Sequence, residues 1–163
     1  SIMGISEMRW TGQGVMNSEG VTILYSGHES QHIQGVGLLL NKEATQSMIG
    51  WEPVCDRIIT ATFHTRSIKA TIIQVYAPTE DAADVDKDNF YDKLQGVRKE
   101  TPKHDLIILI GDMNAHIDQN RMGFEQTKGP HGTAMKTNDN GDRLRAGFIT
   151  HSQVSTQLRA SQL

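Results

Sequence analysis

The sequence predicts a single α/β domain, and three observations carry that reading. Short runs rich in β-branched and apolar residues, bounded by Gly, Asn and Asp, recur through the first two thirds of the chain. One stretch, Asp84 to Glu100, has the apolar spacing of a helix. Polar side chains stand directly after three of the apolar runs, where a packed α/β domain gathers its strand ends.

Each element follows from local chemistry. Ile2 to Ile5 reads as a first strand and Val21 to Tyr25 as a second. Gly35 to Leu40 reads as a third, its continuous apolar end pointing to burial on both faces. Arg57 to Phe63 and Ile68 to Tyr76 are separated by a short polar link, as in a hairpin. Pro78 ends the latter strand, because proline has no N–H to donate and restricts the residue before it. In the stretch from Asp84 to Glu100, Phe90, Leu94 and Val97 share one helix face, and Thr101-Pro102 stops the helix. Asp105 to Ile110 is the most apolar strand and is predicted to lie centrally in its sheet. A long Gly- and Asn-rich loop from Ala115 to Gly141 follows, then a short helix around Asp142 to Ile149. His151 to Leu163 is polar and aperiodic, so the domain is expected over residues 1–148 with a divergent, poorly ordered tail over 149–163.

Composition narrows the function classes. With 37% hydrophobic residues in 163, the chain can build one core. No apolar run approaches the roughly 20 residues of a membrane helix, so no membrane association is expected. The single cysteine, Cys55, excludes an internal disulfide framework, and no Asn-x-Ser/Thr acceptor occurs. Both features fit an intracellular setting, nuclear or cytoplasmic, and no targeting signal is visible. Sixteen Lys and Arg against nineteen Asp and Glu give a net charge of −3, without the broad basic footprint of a non-specific nucleic-acid binder. A polyanion would have to be met locally or through a metal ion.

The three strand ends carry Ser6-Glu7, Tyr76, and Asp112 with Asn114. Glu7 and Asp112 offer hard oxygen donors of the kind Mg²⁺ takes, with waters and substrate phosphate filling its remaining positions. Asn114 could orient an attacking water and Tyr76 could hydrogen-bond a phosphate oxygen. By residue chemistry alone, a strand-end Asp also serves as a turn or helix cap and Glu7 as a solvated surface carboxylate. A calcium loop starting at Asp112-x-Asn114 is excluded, since Ile117 stands where Gly is needed and Gly123 where Glu is needed. No P-loop occurs, and Gly35-Val36-Gly37 suits close strand packing.

Four motifs in order carry a resemblance: Ile5-Ser6-Glu7-Met8-Arg9-Trp10, Gly35-Val36-Gly37-Leu38-Leu39, Val75-Tyr76-Ala77-Pro78-Thr79 and Ile110-Gly111-Asp112-Met113-Asn114-Ala115-His116. A fifth, Asn138-Asp139-Asn140-Gly141-Asp142-Arg143-Leu144, follows them. Together they resemble the endonuclease/exonuclease/phosphatase superfamily, and within it the apurinic-endonuclease-like domain of non-LTR retrotransposons and its craniofacial-development-protein-2-like host derivatives. The resemblance implies a four-layer α/β sandwich of two mixed sheets flanked by helices, DNase I-like. It implies a Mg²⁺-dependent phosphodiesterase acting on DNA, with Mn²⁺ as a substitute ion. Glu7 would be the metal carboxylate, Tyr76 would contact the scissile phosphate, and Asp112 and Asn114 would position the nucleophilic water. Arg9 matches a basic position near the phosphate, and Trp10 is assigned to packing.

Departures from the pattern are equally specific. The family's opening Asn-bearing strand has no counterpart before Glu7, and its closing Asp-His pair has none at Thr150-His151-Ser152. The chain is therefore expected to be truncated at both ends, inactive or weakly active by itself. It is also expected to need a partner protein over its exposed sheet edges. The alternative is a non-catalytic remnant that binds protein or nucleic acid.

Overall fold

The computed structural model describes residues 1–118, 136–149 and 154–156. In chain order the elements are β1 (Ile2–Ser6), β2 (Gln13–Ser18), β3 (Val21–Ser26), β4 (Val36–Leu40), α1 (Lys42–Ser47), β5 (Met48–Cys55), β6 (Ile58–His64), β7 (Lys69–Tyr76), α2 (Asp84–Glu100), β8 (Leu106–Asp112), α3 (Asp139–Leu144) and β9 (Val154–Thr156). They form two compact units. One comprises Ser1–Tyr76, Thr101–Asp112 and the described residues after Val154; the other comprises Ala77–Glu100 and the described residues of Met113–Val154.

The first unit is a sandwich of two sheets. One sheet has the order β1-β4-β3-β2 and the other β5-β6-β7-β8-β9. Every pairing in the four-stranded sheet is antiparallel, and the mixed character lies in the five-stranded sheet, where β7 and β8 run parallel. The core between them combines Leu24, Val36, Leu38 and Leu40 from the first sheet with Ile59, Ala61, Phe63 and Ile72 from the second. Strict alternation in β3, with Thr22, Leu24 and Ser26 turned inward, is the signature of a sheet with one buried face. The α/β sandwich predicted from the sequence is the observed architecture.

Three elements escaped the sequence reading. The strand β2 is exposed at five of its six residues, so it carries no period-two apolar pattern. Its pairing is fixed instead by the tight turn at Glu19-Gly20, both with positive φ (48° and 82°), the geometry that matches the twist of a hairpin. The strand β5 contains Gly50 and Pro53, residues that argue against a strand, but it is an edge strand with register shifts beside both. The short helix α1 is started by Asn41, whose side chain accepts from the Ala44 N–H at 2.9 Å.

The most apolar strand is not the middle one. β7 takes that place, and β8 lies between it and the short β9, with only Leu109 fully buried. β7 is buried at six consecutive residues although Lys69, Thr71 and Gln74 interrupt its apolar run. Hydropathy alone ranked the two in the wrong order.

In the second unit α2 spans the predicted residues, with Phe90, Tyr91, Leu94 and Lys87 buried. α3 begins at Asp139, earlier than expected, because Asn138 caps it through the Gly141 N–H. Arg145–Ile149 continues as a wider, π-type turn. Residues 119–135 of the predicted loop lie outside the described residues, as does the predicted tail except for the backbone of Ile149 and β9. No described helix is long and apolar enough to cross a membrane.

Candidate active site

Three strand ends meet in the first unit. The parallel pairing of β7 and β8 sets Tyr76 opposite Asp112 in register. That approach needs Gly111, whose φ of 128° is open only to glycine and whose added Cβ would collide with the Val75 carbonyl oxygen. β1 brings Ser6 to the same place. Its hydroxyl donates to the Val75 carbonyl at 3.0 Å and accepts from the Asp112 N–H at 3.2 Å and from the Gln74 side-chain amide at 3.0 Å. One serine oxygen thus touches the neighbour of Tyr76 and the backbone of Asp112, and it directly precedes Glu7.

Past Ser6 the chain leaves the sheet in an unusual conformation. Glu7 and Arg9 both have left-handed backbones, with φ of 57° and 55°, a region that costs energy for residues with a Cβ. The intervening segment is held by the Met8 N–H on the Gly35 carbonyl at 2.9 Å and the Arg9 N–H on the Gln34 carbonyl at 2.6 Å. The result is that the Arg9 guanidinium pairs with the Glu7 carboxylate, and both side chains remain open to solvent, 63% and 48% exposed. The pairing raises the Arg9 pKa, through the hydrogen bond to Glu7 first and its charge second.

Tyr76 is half-buried. Its ring lies 5.3 Å from the Arg57 guanidinium, which also donates to the Tyr76 carbonyl at 3.1 Å. Burial pushes its phenol pKa up, and the negative charges of Glu7 and Asp112 push the same way against the smaller pull of Arg57 and Arg9. The phenol is therefore held neutral, able to donate a hydrogen bond to an anionic oxygen. Glu7, Arg9 and Asp112 all enter its electrostatics, and Asp112 lies opposite it in the pairing of β7 and β8.

Asn114 opens the second unit. Its backbone is left-handed, with φ of 45°, a conformation Asn tolerates better than most residues. Its side chain donates to the Ala77 carbonyl at 2.8 Å, and its own carbonyl accepts from the side-chain amides of Asn138 at 2.9 Å and Asn140 at 3.3 Å. The Asn138-to-Leu144 motif is thus a clasp on the segment after Asp112.

Ser6, Gln74 and Arg57 are the contributors that the sequence reading did not assign. Gln74 left a signal, being the one amide in the run Ile72 to Val75. Arg57 stands at the open end of the predicted hairpin, opposite Tyr76, a position from which its contact with the ring could have been read. Trp10 packs edge-on against Tyr25, at 5.3 Å between ring centres, in keeping with its assignment to packing.

Among the described residues no three His, Cys, Asp or Glu side chains cluster as a metal centre would require. The donor set at the strand ends is smaller, two carboxylates near one phenol, which suits an ion that keeps most of its shell as water and substrate oxygen.

No protein-family profile matches the chain. It is 41% identical over 116 residues to craniofacial development protein 2 of Bos taurus, covering 71% of this chain and 20% of that protein. It is 38% identical over 153 residues to craniofacial development protein 2 of Tragulus javanicus, covering 94% of this chain and 26% of that protein. The chain thus spans about a quarter of the length of these relatives or less. The endonuclease domain of TRAS1, a telomere-specific non-LTR retrotransposon, superposes on 80% of this chain and 52% of its own length with a TM-score of 0.54 at 17% identity. Sandwich topology and these likenesses converge: the chain is similar to a segment of craniofacial development protein 2 and has the α/β-sandwich fold seen in the TRAS1 endonuclease domain.

Proposed function

We propose that this chain carries part of a Mg²⁺-dependent phosphodiesterase centre for DNA, of the retroelement endonuclease type, and that its turnover by itself is weak. The observation that carries the reading is the convergence of Glu7, Tyr76 and Asp112 from three strand ends, with both carboxylates acting on one neutral phenol. Glu7 is the metal carboxylate, with Asp112 at hand as a second oxygen donor. An ion held there, Mg²⁺ or in its place Mn²⁺, would supply charge neutralisation to the phosphate. Tyr76 donates its phenol proton to a non-bridging phosphate oxygen and orients the phosphorus. Asp112 holds the attacking water and accepts its proton as the new P–O bond forms and the P–O bond to the leaving oxygen breaks, the departing alkoxide taking a proton from solvent. The role of Asn114 beside that water rests on the resemblance alone. Arg9 can leave Glu7 for the incoming phosphate, exchanging one anion for another at an exposed position.

Weak turnover follows from two features. Glu7 is already neutralised by Arg9, and no Asp-His pair occurs in the sequence to stabilise developing charge. A purified chain is expected to nick supercoiled plasmid slowly in Mg²⁺ or Mn²⁺ and not in chelator. Asp112→Ala and Tyr76→Phe should each lower the residual rate by about 10² or more. Nicking that survives Asp112→Ala unchanged would sink the assignment.

The Arg9–Glu7 pair also favours a second reading, a non-catalytic module that binds DNA or a partner protein through this face. It predicts binding that is indifferent to divalent ions and plasmid that stays intact. Either reading is compatible with an intracellular site of action, in the nucleus or cytoplasm.

A further inference from the structure

The polar pair Ser6 and Gln74 at the strand ends has no place in the roles above. Ser6 is part-buried and Gln74 buried, and together they bond the ends of the strands that carry Tyr76 and Asp112. Gln74 is 1% exposed and spends its amide nitrogen on the Ser6 hydroxyl and, at 3.2 Å, on the Val75 carbonyl. Its side-chain oxygen has no hydrogen-bond partner among the described residues. A buried amide with an unsatisfied oxygen destabilises the fold, and an aliphatic residue of similar size would remove the deficit. Gly4 yields to the same group, since an added Cβ there would collide with the Gln74 oxygen. Three residues on two strands are thus committed to an arrangement that packing alone does not favour.

What the arrangement does accomplish is geometric. The Ser6 oxygen joins the end of β1 to the end of β7 through Val75 and to the end of β8 through the Asp112 N–H. Gln74 fixes the rotation of that hydroxyl by donating to it, which leaves the Ser6 proton for the Val75 carbonyl. Glu7, one residue past the serine, and Asp112, whose N–H donates to it, are therefore linked through a single oxygen.

We propose that Ser6, oriented by Gln74, is a positioning residue that sets the separation of Glu7 and Asp112 for a divalent cation. The inference rests on the metal role of those carboxylates proposed above. Two quantities test it on the full chain, the affinity for Mn²⁺ read by electron paramagnetic resonance and the hydrogen-exchange rate of the Asp112 amide. Ser6→Ala is expected to weaken Mn²⁺ binding about tenfold, the usual effect of losing a group that orients a ligand, and to speed Asp112 exchange. Ser6→Thr, which keeps the hydroxyl, should restore both. Should Ser6→Ala fail to fold, Gln74→Leu, which fills the same volume without the amide, is read instead and should shift both quantities in the same direction.

A folded variant with wild-type Mn²⁺ affinity and wild-type Asp112 exchange would overturn the proposal. If the unmodified chain takes up no Mn²⁺ at all, the metal role of Glu7 falls. Asp112 exchange then decides the strut by itself, an accelerated rate in the variant supporting it and an unchanged rate overturning it.

Discussion

Tyr76 reports on its surroundings through its own proton. Burial raises its pKa most, and the Glu7 carboxylate adds to the rise, with Asp112 a smaller contributor of the same sign. Removing either charge removes an upward push, so Glu7→Gln and, to a lesser extent, Asp112→Asn should let the phenol ionise at lower pH. Difference absorbance of the phenolate follows this, with Tyr76→Phe identifying the contribution of Tyr76 among the three tyrosines. An unmoved titration in Glu7→Gln would mean that the carboxylate does not face the ring. At this scale Glu7, Tyr76 and Asp112 were legible because each stands at the end of an apolar run, and a strand end is a local property. Ser6 and Gln74 were not, because their meaning is a hydrogen bond across 68 residues of chain. The unsatisfied Gln74 oxygen, a deficit of about 1–3 kcal/mol, is visible only when its neighbours are known.

Helices α2 and α3 illustrate how an element acquires a role that periodicity does not disclose. Phe90 and Leu94 were readable as the apolar face of α2, but Lys87 lies on that face too and is buried at 4% exposure. It is tolerated because its ammonium meets Asp139 at 2.9 Å, Asp84 at 3.4 Å and the Glu80 carbonyl at 3.1 Å. Arg143 on α3 meets Asp139 at 2.8 Å and pairs with Asp88 on α2. The hydrogen bond that the Lys87 ammonium donates to Asp139 is the leading cause both of the Asp139 carboxyl lying below its ordinary value and of Lys87 lying above its own. The signs define a window. A depressed carboxyl contributes stability that is complete above its unfolded value of about 3.9 and is lost as pH falls through the folded one. A raised ammonium contributes stability that is complete below about 10.4 and is lost as pH rises through its folded value. Lys87→Met should therefore melt below the wild type across the neutral range, with the gap closing at both acidic and strongly alkaline pH. Circular-dichroism melting at a series of pH values checks it, and a gap independent of pH would assign the loss to packing instead. Tyr91 belongs to the same clasp, its phenol donating to the Asn140 carbonyl at 2.9 Å, and burial pushes its pKa well up.

The whole chain presents a problem in electrostatics that its fold alone does not solve. Its net charge of −3 disfavours approach to a phosphate backbone. The sandwich fold was legible because five motifs stood in order, whereas the sheet order was not, since hydropathy ranks strands by burial of their own side chains and β8 remains half-buried beside β7. A chain of this charge can hold DNA in two ways that differ in sign. If a few exposed cations such as Arg9 do the work by releasing counterions, added divalent ions compete with them and weaken binding. If Glu7 and Asp112 hold an ion that bridges to phosphate, divalent ions convert two repulsive carboxylates into an attractive centre and strengthen it. Calcium separates binding from cleavage if it occupies oxygen sites without supporting turnover. Fluorescence anisotropy of labelled duplex, at constant ionic strength, is expected to show tighter binding in millimolar Ca²⁺ than in chelator, by about tenfold for one bridged phosphate. Glu7→Gln and Asp112→Asn should abolish that gain while binding DNA in chelator slightly better than the wild type, because each removes a negative charge from the face that meets the phosphate. Binding that instead weakens with Ca²⁺ in the wild type, and is untouched by either substitution, would place the DNA contact on cations alone and leave the carboxylates without a role in it.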